Sequence, residues 1–65
     1  MNEVKEIYLY SLDGQVLLAE VSEFDGGVSI SIAGKRLDLE SDSAFELADI
    51  LIQTASSLEE RTEYE

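Results

Sequence analysis

Carboxylates are the groups best able to do chemistry in this sequence: 15 Asp and Glu against 4 Lys and Arg, with no His and no Cys. The formal net charge is −11 on 65 residues. Closely spaced carboxylates can hold a hard cation or trade protons in pairs. The densest spacing is Asp38, Glu40 and Asp42, at every second residue, with Asp49 at the twelfth position of a calcium loop begun at Asp38. An EF-hand loop needs Gly at its sixth position for the sharp turn and a bidentate Glu at its twelfth. Ser43 and Asp49 stand there instead. No metal ligands are therefore assigned, and no cofactor is expected.

Catalysis is disfavoured by the same inventory. Without His the usual general base is missing, and without Cys the strongest nucleophile, which excludes Ser–His and Cys–His chemistry. One small core leaves little room for a pocket that buries a substrate. The expectation is a protein that is not an enzyme. Direct nucleic-acid binding is disfavoured too, because phosphate contacts depend on Lys and Arg and only Lys35-Arg36 are adjacent. An acidic surface suits the opposite role, occupying the basic surface of a protein that itself handles nucleic acid, with electrostatic steering speeding the encounter. The candidate contact carboxylates are Glu46, Asp49, Glu59 and Glu60. The competing explanation is that the charge only keeps a small protein soluble.

A high net charge with few apolar residues would leave a chain disordered, but 45% of this one is hydrophobic, enough to collapse. Residues 1–60 read as one domain and 61–65 as a frayed acidic tail. No apolar run is long enough to span a membrane, and Met1–Glu6 lacks the basic start and apolar stretch of a signal peptide. A soluble cytoplasmic protein with no membrane partner is expected. A domain this small buries only roughly 60% of its unfolded surface and usually needs a disulfide, a metal or a partner chain. Lacking Cys and His, this one is expected to use a partner chain, most simply as a homodimer.

The elements that must carry these residues are legible from turns and alternation. Asp13-Gly14 lies between two β-rich segments, Val4–Leu12 and Gln15–Phe24, and Asp-Gly is a strong two-residue hairpin signal. Further turns fall at Asp25-Gly26-Gly27 and Ala33-Gly34-Lys35, flanking the alternating segments Val28–Ile32 and Arg36–Glu40. Four strands in an antiparallel meander are predicted. Two-residue turns would pair Tyr10 with Leu17, place Val28, Ile30 and Ile32 beside Ala19, Val21 and Glu23, and pair Ile30 with Leu37. Those registers collect Tyr8, Tyr10, Leu12, Leu17, Ala19, Val21, Val28, Ile30, Ile32, Leu37 and Leu39 on one face.

A helix over Ser43–Glu60 is predicted to cover that face. Ser43-Ala44-Phe45-Glu46 matches a capping box, and Asp42 and Glu46 suit the positive end of a helix dipole. Ala44, Phe45, Leu47, Ala48, Leu51, Ile52, Ala55 and Leu58 form one apolar stripe, with Glu46, Asp49, Gln53 and Ser57 opposite. The fold class is therefore α+β, a ββββα domain with its helix packed on one sheet face.

The other sheet face would carry Ile7, Leu9, Val16 and Leu18 together. Such an aliphatic patch approaches the largest that monomers usually expose, so the quartet is the candidate self-interface of a two-fold dimer. Ile50, on the polar side of the helix, is a weaker second candidate. With neither Trp nor Pro as well, the profile resembles the short acidic proteins with which bacteriophages and mobile elements occupy host machinery, among them DNA mimics, anti-restriction and anti-CRISPR proteins and transcription inhibitors. The sheet-then-helix run from Leu37-Asp38-Leu39 to Ala44–Leu51 is similar to the endings of many small phage and bacterial proteins. These resemblances imply an inhibitor or regulator and transfer no site residue. The alternative function is a structural or oligomerisation module acting through an apolar sheet face.

Overall fold

The structure, a computed structural model, describes residues 3–62, with side chains through residue 59. Strands β1 (Lys5–Tyr10), β2 (Val16–Phe24), β3 (Gly27–Ile32) and β4 (Lys35–Leu39) form one antiparallel sheet in the order β1-β2-β3-β4. A single helix, α1 (Ser41–Thr62), follows. The chain is the ββββα meander that its alternating segments predict.

Two of the three hairpins take the expected register. Asp25 and Gly26 have φ of 53° and 82°, and Ala33 and Gly34 repeat those values. Positive φ at both central residues is the backbone of a type I′ turn, whose twist matches that of the flanking strands. Val21 therefore pairs with Ile30, and Ile30 in turn with Leu37.

The first hairpin differs by one residue. Tyr10 pairs with Val16, Tyr8 with Leu18 and Ile7 with Ala19, where a two-residue turn would have paired Tyr10 with Leu17. Gly14 has a φ of 92° while Asp13 stays at negative φ. The Gly14 N–H donates to the Ser11 carbonyl at 3.1 Å, and the Ser11 N–H to the Gln15 carbonyl at 2.9 Å. This is a three-residue loop, a type I turn closed by a left-handed glycine. Ser11 supplies the physical reason. Its hydroxyl donates to the Asp13 carboxylate and accepts the Gln15 N–H at 2.9 Å, holding the loop one residue longer than Asp-Gly alone requires.

Because side chains alternate with a period of two, that slip turns the whole of β1 over. Ile7 and Leu9 join Leu17, Ala19, Val21, Val28, Ile30, Ile32, Leu37 and Leu39 on one face. Tyr8 and Tyr10 move to the opposite face, and Leu12 is left fully exposed in the turn. The exchange places aliphatic groups on the apolar face and leaves both phenols where water reaches them.

The helix begins two residues before the expected start. The Ala44 N–H donates to the Glu40 carbonyl at 3.0 Å, so Glu40 is the N-cap and Ser43 and Glu46 lie inside the helix rather than forming a capping box. Asp42 remains in the first turn, favoured by the dipole. Residues 61 and 62, expected in a frayed tail, are helical, and 63–65 lie outside the described residues.

Instead of lying over the sheet as expected, α1 leaves it. The helix meets the sheet chiefly at β3, where Ala44, Phe45 and Ala48 face Val28 across a cleft of about 280 Å³. The apolar stripe is largely uncovered: Phe45 is 75% exposed, Leu51 60% and Ile52 64%. Among the described residues the only buried hydrophobic residue is Ala19, and no side chain is fully enclosed. The radius of gyration is 14.2 Å, where a compact domain of this length would have about 11 Å.

Candidate interaction surfaces

Three surfaces could meet a partner. The first is the apolar cleft between the sheet and the helix stripe. It is lined by Val28, Ser41, Ala44, Phe45 and Ala48, and the rest of the apolar sheet face and of the helix stripe extends beyond it. Leu51 and Ile52, farther along the stripe, are exposed to solvent.

The opposite sheet face is divided between apolar and polar halves. Tyr8 with Leu18 and Tyr10 with Val16 form two directly opposed cross-strand pairs, all four residues exposed. The polar half centres on Ser29, 7% exposed and directly opposite Asp38. Arg36 donates from Nε to Asp38 at 2.9 Å and lies over the Phe24 ring, 4.5 Å from its centroid. The guanidinium hydrogen bond, joined by one from Ser29, holds the Asp38 carboxyl below the usual carboxylate range. A planar cation held both by a carboxylate and by a ring face is a rigid feature on an exposed sheet.

The expected quartet of Ile7, Leu9, Val16 and Leu18 is not one patch. The first hairpin's register sends Ile7 and Leu9 into the cleft face and leaves Val16 and Leu18 beside the two tyrosines. The signal that could have found this was Ser11, placed to bond both Asp13 and Gln15.

The third surface is acidic. Glu46 and Asp49 share the side of α1 turned away from the stripe, and Gln53 donates from Nε2 to Asp49 at 3.1 Å, one turn on. Glu59 lies ten residues beyond Asp49, about 15 Å along the axis, and rotated towards the edge of the stripe. The Glu60 side chain lies outside the described residues. The four candidate carboxylates are thus a pair and a distant residue rather than one cluster. Ile50 is exposed beside Asp49. A shallow depression at the start of α1 is bordered by Asp25, Asp38, Glu40 and Asp42. Among the described residues, no group of three or more carboxylates converges to hold a metal ion.

Among the described residues, no helix is long and apolar enough to cross a membrane. Comparison of the chain with family models, with curated proteins and with solved structures gives no match.

Proposed function

We propose that this chain is a non-enzymatic, cytoplasmic interaction module that works by closing its apolar cleft against another protein chain. The observation that carries this reading is the missing interior. A folded monomer of 7.2 kDa is expected to expose roughly 4,100 Å². This chain exposes 5913 Å², an excess on the order of 1,800 Å². Stable interfaces cover about 800 Å² on each partner, and obligate ones considerably more. The excess is the size of an interface, and the exposed residues include Ile7, Ile32, Leu37, Phe45, Leu51 and Ile52.

The acidic reading accompanies this one. Glu46 and Asp49 project from the side of α1 opposite the stripe, so closure of the cleft would leave them exposed to meet the basic surface of a nucleic-acid-handling protein, as a DNA mimic would. Displacement of duplex DNA from a basic, non-specific DNA-binding protein would support that role. Loss of displacement in Glu46→Lys/Asp49→Lys would assign it to these residues, and wild-type protein that displaces no DNA would dismiss it.

The module itself is tested by solution mass across a dilution series, read together with Nile red fluorescence. A mass above that of one chain supports closure by association. A monomer that binds the dye has an open cleft and supports a module awaiting a different chain. A monomer that binds no dye overturns the proposal, because its apolar faces are then covered within one chain.

A further inference from the structure

Resting on that reading, we infer that the cleft's occupant is α1 of a second copy, each chain laying its helix stripe across the other's sheet in a reciprocal two-fold dimer. The sheet face and the helix stripe are two apolar layers that the chain leaves largely apart. Between Leu39 and Ser41 the only linking residue is Glu40, whereas connections between a strand and a helix that folds back on its sheet run to about 2–6 residues. The short link sets only the first two turns of α1 against the sheet, at β3. A second copy has no such restriction.

The dimensions agree. From Ala44 to Leu58 the stripe runs about 21 Å along the helix axis, and four strands at roughly 4.8 Å spacing make a platform of comparable width. Ala44, Ala48, Leu51, Ala55 and Leu58 recur at alternating steps of four and three, and the three alanines permit close approach of a helix to a sheet.

Charge favours this pairing over helix on helix. The charged strand residues on the cleft face are Lys5, Glu23 and Lys35, placed there by their pairing with Val21, Val28 and Ile32. The described charged side chains of α1 are all acidic: Asp42, Glu46, Asp49 and Glu59. Against the sheet the stripe brings only Glu59 at its border, because Asp42, Glu46 and Asp49 lie on the other side of the helix. Sheet on sheet could set Glu23 against a lysine and is separated by the variants below, whereas helix on helix would set one acidic helix against another. In a chain of net charge −11, like-charge contact of that kind is the more expensive choice.

Paired variants separate the arrangements by sedimentation equilibrium. Leu51→Glu injures only the helix wall and Ile32→Lys only the sheet wall. In the reciprocal dimer each variant alone should dissociate at least tenfold more readily, about 1.4 kcal/mol. Mixing them should restore a heterodimer, which keeps one native helix–sheet contact and sets the introduced glutamate against the introduced lysine in the other. Dissociation by Leu51→Glu alone would indicate helix-to-helix pairing, and by Ile32→Lys alone sheet-to-sheet pairing. Either result overturns the inference while leaving the module reading in place, as does a monomeric wild type that binds Nile red. Circular dichroism checks folding, and Leu37→Lys, on the exposed edge strand of the same face, replaces Ile32→Lys if that variant unfolds.

Discussion

Truncating Leu51 to alanine should have opposite effects on the free chain and on the assembled one. Leu51 is 60% exposed, so within one chain its side chain contributes little packing, and alanine is the slightly better helix former. Unfolding of the dilute monomer by urea should therefore be unchanged or shifted upward by a few tenths of a kcal/mol. Full burial of a leucine side chain is worth about 1.5–3 kcal/mol. Covering the exposed fraction would contribute about 1–2 kcal/mol per chain, and two symmetric copies double it. Leu51→Ala should weaken the dimer on the order of a hundredfold. Sedimentation equilibrium reads the dissociation constant, and urea titration at low and high protein concentration separates the two effects. A dimer constant that does not move on this substitution would refute the claim that the stripe is a contact surface.

Salt, glycine packing and acid titration supply three further tests. Because two acidic chains repel, raising ionic strength should tighten self-association by screening that repulsion, yet weaken binding of Glu46 and Asp49 to any basic partner; opposite slopes in one salt series would separate the two surfaces, and parallel slopes would dismiss the assignment. A methyl group at Gly27 would collide with the Leu39 carbonyl oxygen across the β3–β4 pairing, so Gly27→Ala should cost about 1–3 kcal/mol in denaturant unfolding, and a neutral result would contradict the β4 placement. Asp38 is held low chiefly by the Arg36 hydrogen bond and then by that of Ser29. A carboxyl depressed in the folded state adds stability that is present above its unfolded value and is lost as pH falls through the folded value. Arg36→Gln should bring the Asp38 midpoint in an NMR titration back up towards the ordinary range; a midpoint that stays put would remove Arg36 as the cause.

How much of the molecule is legible from residue order depends on how local each signal is. Asp25-Gly26 and Ala33-Gly34 state their own turn type, because positive φ at two adjacent positions is a local requirement, and the registers of β2, β3 and β4 follow. Asp13-Gly14 looks like the same signal and is not. The Ser11 hydroxyl, two residues earlier, adds a residue to the loop and turns β1 over, so the quartet of Ile7, Leu9, Val16 and Leu18 divides between two faces.

Residue order by itself determined the strand set, the helix with its uncharged stripe, the acidity of the surface and the absence of His and Cys. All of these rest on periodicity or composition, which do not depend on distant contacts. Only the tertiary structure decided where the stripe goes. Whether α1 covers its own sheet depends on the exit angle at Glu40 and on the packing near Val28, and no periodicity encodes either. An amphipathic stripe shows that a helix buries one side; the identity of the buried partner is a long-range fact. Here the geometry leaves both apolar layers of the same chain open, and that is what makes association the centre of its proposed function.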